Sequence, residues 1–207
     1  MGLFKLLMND PLAFLLLVIP LLYSVVLHEV AHGWVANRLG DPTAKWLGRL
    51  SLNPLKHLDP IGTLMLFLAG FGWAKPVPVN LNHIPNRRKG LILVSSAGIL
   101  ANILVAFGAL LIHRLLGLPP FGVIANIVYT LAHINITLAA LNLIPIPPLD
   151  GSKILMGFAP QEIRYFLARL EPYGFLIIVG LLFLGLLNPF ISFFRGIIIA
   201  VLKILLP

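Results

Sequence analysis

Cysteine is absent from the 207 residues, which excludes a disulfide framework and any thiolate metal site. Charge is scarce as well: 11% of the residues are Asp, Glu, Lys or Arg, against 59% hydrophobic. Soluble domains carry roughly 25% charged residues, so an ordinary soluble fold is excluded. A mean hydropathy of +0.99 and several apolar runs near the length of a bilayer crossing indicate an integral membrane protein. There is no internal repeat, no low-complexity tract and no stretch that would build an appended soluble domain. The net charge of +8 comes mostly from bases in loops. There they set topology and touch anionic lipid headgroups, so no nucleic-acid partner is expected. A transition metal would be held by imidazole and carboxylate, which suit a catalytic zinc with an open position.

The stretch around which the chain is organised is His28-Glu29-Val30-Ala31-His32. No proline interrupts Leu21 to Leu39, so the stretch reads as helix. On a helix His28 and His32 leave the same face and can grip one metal ion. Glu29 projects about 100° away, within reach of a water beside the metal without being a ligand. The bland reading is a helix with two packed or partly solvated histidines.

Pro11 to Leu27 is apolar apart from Tyr23 and Ser24. It resembles a signal-peptide core, but no small-x-small cleavage site precedes His28. An uncleaved span over about 12–39 is expected, stopped by Gly40-Asp41-Pro42. His28 then lies about 25 Å along the axis, inside the membrane near one face. Residues 38–90 carry Arg38, Lys45, Arg49, Lys56, Lys75, Arg87, Arg88 and Lys89 against Asp41 and Asp59, which puts this section on the cytoplasmic side. Within it, 60–72 is apolar but too short to cross, so it is re-entrant or interfacial. Its flanks, Arg49 to Pro54 and Pro76 to Asn80, read as extended. They are either a solvated connector or an edge able to pair with an unwound substrate strand.

The second span is expected over 91–112. Its small residues Ala97 and Ala101 admit a neighbouring helix, and its Asn102 serves either as interhelical glue or as support for the site. The third, over 123–144, is unusually polar, with Asn126, His133, Asn135, Thr137 and Asn142. Such residues face a bundle interior or a wet cavity. The prolines of Asn142-Leu-Ile-Pro-Ile-Pro-Pro-Leu-Asp-Gly151 then unwind the backbone, a feature tolerated at membrane depth only inside protein or beside a cavity. Asp150 is a helix N-cap on the bland reading. It is also a candidate third ligand, as the only carboxylate beside a polar span; Asp59 and His133 are the alternatives. Residues 160–170 are amphipathic enough to lie on the surface. Apolar helices follow over 173–187 and 190–206, the latter crossing or lying in the interface. The expected fold is an all-α polytopic membrane protein, with four or five spans and a short extended or re-entrant segment.

With His28-Glu-x-x-His32 on one span and Asn142-x-x-Pro-x-Pro-x-Leu-Asp150-Gly after another, the chain resembles the site-2 protease family of intramembrane zinc metalloproteases. Gly72-Trp-Ala-Lys-Pro-Val-Pro-Val-Asn80, Asn53-Pro-x-x-His57-x-Asp-Pro60 and Ala97-Gly-x-x-Ala-Asn102 are similar to its short prokaryotic members. The resemblance covers roughly residues 20–160. It implies one zinc ion held by His28, His32 and Asp150, with Glu29 as general base. Asn142 would lie near the reacting carbonyl, and Asn102 and Asn135 are further candidates for polar support. The three-helix catalytic core would be 12–39, 91–112 and 123–144. The chain lacks the PDZ insert of one branch and the CBS pair of another, so one membrane-embedded domain is expected over 1–207. The implied partners are the lipid bilayer and single-span membrane-protein substrates, cut by regulated intramembrane proteolysis in a prokaryotic cell membrane. A zinc-binding pseudoprotease is the alternative. A metal-ion transporter is disfavoured because the ionisable residues collect near one face instead of being strung across the spans.

Overall fold

The computed structural model describes residues 3–70, 72–119 and 121–206. These are helical, with no strand among them; Leu58 and Ala74 form one isolated antiparallel bridge. Phe71, inside the expected 60–72 segment, lies outside the described residues.

A short α1 (Leu3–Asn9) leads into the long α2 (Pro11–Arg38). Asp10 caps α2 by accepting from the Ala13 N–H at 2.9 Å, and Pro11 occupies the first turn, where its missing N–H costs nothing. At 28 residues, α2 is about 42 Å long, enough to cross a bilayer. A single turn, α3 (Thr43–Trp46), follows. Then comes α4 (Pro60–Ala69), capped by Asp59, which accepts from the Gly62 N–H at 2.8 Å. Ten residues give about 15 Å, too short to cross, and α4 packs back on the N-terminal helices with Phe67 against Phe14.

The second long helix, α5 (Arg87–Leu115), begins at an Asn86 cap and is longer at both ends than the apolar run alone implies. The basic residues Arg87, Arg88 and Lys89 form its first turn. Next, α6 (Val123–Asn142) ends where Pro145, Pro147 and Pro148 forbid continuation. Beyond the irregular Leu143–Leu149 run stand α7 (Asp150–Phe158) and α8 (Gln161–Leu170). A 3₁₀ turn at Glu171–Tyr173 carries α8 into α9 (Gly174–Phe183), and α10 (Asn188–Leu205) closes the chain. Sequence periodicity separates the amphipathic 160–170 from the apolar 173–187. In the structure they join, because Pro172 falls in the first turn of the following helix, where proline is tolerated. Five helical stretches among the described residues are long and apolar enough to span a membrane: Pro11–Arg38, Arg87–Leu115, Val123–Asn142, Gln161–Phe183 and Asn188–Leu205.

The core lies where α5, α6 and α10 meet. Ala106, Ala109, Ala132, Ala139 and Ala140 are buried there beside Ile136, Ile198 and Leu202. Small residues let helix backbones approach closely, the main packing device where lipid removes the hydrophobic drive between helices. The outer faces carry exposed Ile19, Leu100 and Leu104, as expected of helices bathed in hydrocarbon. Helix α5 is central: it packs on α2, α6 and α7 together, which is what assembles the site.

Candidate metal centre

Helix geometry places His28 and His32 one turn apart on the face of α2 that meets α5. Gly98 of α5 sits directly against them: a Cβ there would lie 2.5 Å from His28 Cε1 and 2.5 Å from His32 Nε2. The glycine is therefore a close-approach position, and the two rings meet edge to face with centroids 4.6 Å apart. A second close approach brings in the third group. Gly151 packs on the chain leaving α6, where a Cβ would lie 2.6 Å from the Ile144 carbonyl oxygen. This seats the start of α7 against the end of α6 and delivers Asp150 to the histidines.

His28 Nε2, His32 Nε2 and Asp150 Oδ2 form a small triangle, with edges of 3.0 Å between the two nitrogens and 3.1 Å from each to the oxygen. Side-chain exposure is 9% for His28, 11% for His32 and 8% for Asp150. Among the described residues this is the cluster of three such groups able to hold a metal ion.

Hydrogen bonds behind the histidines decide what the triangle is. His32 Nδ1 lies 2.7 Å from the Val94 carbonyl oxygen, which only accepts, so Nδ1 carries the proton and Nε2 presents a lone pair. For His28 the argument runs through a relay. The Ser24 hydroxyl donates to the Pro20 carbonyl (2.6 Å), so Ser24 Oγ accepts from Asn135 Nδ2 (2.7 Å), which also donates to the Leu131 carbonyl (2.8 Å). Asn135 Oδ1 then accepts from Asn102 Nδ2 (2.8 Å), leaving Asn102 Oδ1 as the acceptor 2.6 Å from His28 Nδ1. His28 is therefore also protonated at Nδ1, with its Nε2 lone pair facing Asp150. With both rings neutral, three electron-rich atoms converge, and Asp150 Oδ2 is buried without a hydrogen bond. Such an arrangement is repulsive unless a cation fills it. Donor atoms of a tetrahedral zinc site with bonds of about 2.0–2.1 Å lie about 3.3 Å apart, within a few tenths of these edges. The residues fit the ion.

Glu29 is half-buried and lines the same cavity, of about 860 Å³. Its Oε2 accepts the backbone N–H of Val77 at 2.8 Å. Val77 belongs to a strap, residues 75–80, that has no regular secondary structure and is tied at both ends. Arg49 donates to the Lys75 carbonyl (2.7 Å), the Lys75 N–H donates to the His57 carbonyl (2.8 Å), and the Asn80 N–H donates to Asp41 (2.6 Å). Asp41 is fully buried and also accepts from Thr43 and His83. Burial opposes its ionisation, but the Thr43 hydroxyl, His83 and the Asn80 and Thr43 N–H groups outweigh it and hold the carboxyl below the usual range.

The structure thus brings together His28, Glu29, His32 and Asp150, with Asn142 on the cavity wall. Asn142 donates one amide hydrogen to the Leu138 carbonyl at 3.0 Å, leaving the other available. Asn102 and Asn135 are wholly buried behind His28, outside the cavity lining, so their contact is with the histidine and the relay. Of the other candidate ligands, Asp59 is spent as the α4 cap, and His133 faces Arg195 of α10. Asp150 is the first residue of α7 and not its cap: Leu149 holds that position, without a side-chain cap bond. Three groups escape the reading of sequence: Val77, which acts through its backbone, and Ser24 and Asp41, which look like ordinary helix and turn residues.

Comparison with known proteins identifies the family. The pattern of Peptidase family M50 matches residues 119–186, a segment that contains the Asn142–Asp150 turn. YwhC of Bacillus subtilis is 40% identical over 172 residues, covering 80% of this chain and 78% of that protein. Rip2 of Mycolicibacterium smegmatis is 34% identical over 180 residues (84% and 69%), and Rip2 of Mycobacterium tuberculosis strain H37Rv is 33% identical over 181 residues (84% and 69%). Each of these is named a "putative zinc metalloprotease". No solved structure matches. Its membrane-spanning helices, its converging histidine and aspartate donors and these relatives together make the chain a multi-pass membrane protein of peptidase family M50, the site-2 protease family of metalloproteases.

Proposed function

We propose that the protein is an intramembrane endopeptidase that hydrolyses peptide bonds in or beside the transmembrane segments of single-span membrane proteins, using one zinc ion per chain held by His28, His32 and Asp150. The observation that carries this reading is the convergence of three metal-ligating atoms, from His28, His32 and Asp150, in the cavity that also holds Glu29. Zinc bound there supplies Lewis acidity, polarising a carbonyl and making water more acidic. Glu29 Oε2 is occupied by the Val77 N–H, which orients the carboxylate and leaves Oε1 to take the proton of the attacking water and pass it to the leaving amine. The spare amide hydrogen of Asn142 stabilises the developing oxyanion.

A helical peptide bond is shielded by its own turn, so the substrate enters unwound. The strap has a backbone donor for an extended guest in the Val79 N–H, which is free of any described partner, while Pro76 and Pro78 offer none. The eight bases between Arg38 and Lys89 support a mouth on the cytoplasmic side, where, in a prokaryotic cell membrane, regulated proteolysis would release a substrate's soluble part. Metal content of the purified chain, wild type beside Asp150→Ala, followed by cleavage of a reconstituted single-span substrate, tests the proposal. About one zinc per chain that is lost in the variant, with cleavage abolished by Glu29→Gln, is expected. Zinc bound normally with every tested single-span substrate left intact refutes proteolysis and leaves a pseudoprotease.

A further inference from the structure

Two cations face the catalytic cavity with no anion to meet them. On α7, Asp150, Lys153 and Met156 follow at three-residue spacing and all line the cavity. On α8, Arg164 stands three residues before the buried Leu167, on the inward face. The other charges of that helix, Glu162 and Arg169, are exposed, with Arg169 lying over the Tyr165 ring. Lys153 and Arg164 are both half-buried. Among the described residues neither makes a hydrogen bond or an ion pair: the carboxylates that lie close to a basic side chain are Asp150, beside His28 and His32, and Asp41, beside His83. The other carboxylates at the cavity do not serve them: Glu29 is tied to Val77, and Glu171 is exposed and unpaired. The surrounding wall is apolar, with Trp73, Leu91, Val94, Met156 and Phe175. Half-buried cations on an apolar wall attract an anion into the cavity.

We propose that Lys153 and Arg164 form a subsite for a carboxylate of the peptide in the cavity, carried on an acidic side chain or at a chain end. The inference rests on the proteolytic reading above. A peptide carboxylate fits better than a lipid phosphate, because the two cations face the cavity shared with Glu29 and the strap instead of the outer, lipid-facing surface. Position follows from geometry. Lys153 is about 4.5 Å along α7 from Asp150, and an extended peptide advances about 3.3 Å per residue. With the reach of the side chains, the subsite reads an acid about two to four residues from the scissile bond.

The test uses the full-length Glu29→Gln chain, which binds without cutting, in phosphatidylcholine nanodiscs. The probes are fluorescent single-span peptides with a central Pro-Gly break, each carrying one Glu or one Gln at successive positions beside the break, with amidated or free C-termini. Expected is about tenfold tighter binding of Glu than of Gln at one or two adjacent positions, or of the free over the amidated end, the size of a charge-assisted hydrogen bond at a partly exposed site. Lys153→Gln with Arg164→Gln should abolish this preference, and Lys153→Arg with Arg164→Lys should retain it. Equal binding of Glu, Gln, free and amidated peptides overturns the subsite while leaving the protease reading intact. So does a preference that survives the double Gln variant. An effect of the variants that depends only on added phosphatidylglycerol assigns the cations to headgroups and overturns it too. Failure of every peptide to bind overturns both readings.

Discussion

Replacing Asn102 by leucine isolates the part of the site that touches neither metal nor substrate. Asn102 is wholly buried, and its Oδ1 lies 2.6 Å from His28 Nδ1. Leucine has the same branching, so no cavity opens, but its methyls are bulkier than the amide atoms and the Nδ1 proton loses its acceptor. A buried donor left without a partner costs about 1–3 kcal/mol. That penalty falls on the tautomer that presents Nε2 to Asp150 and His32, because the alternative, with the proton on Nε2, no longer loses a hydrogen bond by forming. The expected loss in zinc affinity is therefore about ten- to a hundredfold, or about 1.4–2.7 kcal/mol, in the range found when partners of ligating histidines are removed. Competition of the detergent-solubilised protein against a zinc chelator measures it, with helix content and melting temperature as controls. Asn135→Leu acts only through Asn102 and should cost less. Wild-type zinc affinity in a folded Asn102→Leu protein would refute the relay and the tautomer assignment built on it.

Gly98→Ala puts a Cβ 2.5 Å from both rings. Zinc content should fall well below one per chain while α5 stays helical, as judged by metal analysis beside circular dichroism. Glu29→Gln should keep its zinc and lose about 10²–10⁴-fold in peptide-bond hydrolysis, the usual worth of a general base; unchanged turnover removes Glu29 from the chemistry. Asp41 gives a pH signature. Its carboxyl is depressed in the folded protein, so its stabilisation is complete above the ordinary carboxylate value of about 3.9 and is lost as pH falls through the lower folded value. Hydrogen-exchange protection of the Asn80 N–H, relative to its intrinsic rate, should hold from pH 7 to 5 and drop only in stronger acid. Asp41→Asn should lower that protection by about tenfold or more already at pH 7.

Local spacing settled a good part of this protein. The four-residue spacing of His28 and His32 puts both rings on one helix face whatever the fold, and three prolines in the four positions from Pro145 to Pro148 end the helix that precedes them. Apolar run length likewise marked the spans, since it must match hydrocarbon thickness. These features depend on backbone geometry within a turn or two, so they are legible in one dimension.

What the tertiary structure decided is everything that depends on which surfaces touch. Asp150, Asp59 and His133 were open as partners of the histidines. The choice turns on Gly98 and Gly151, whose missing side chains let α5 meet α2 and α7 meet the end of α6. Asp59 went to a cap and His133 to the α10 side. Asn102 and Asn135, read as support for the reacting group, stand behind His28 in a relay through Ser24. Its members come from three helices, and no spacing rule links them. The contact of Val77 with Glu29 cannot be read from its side chain, because it is made through a backbone N–H that every residue but proline carries. Periodicity prescribes which way a side chain points from its own helix; only packing prescribes what it meets.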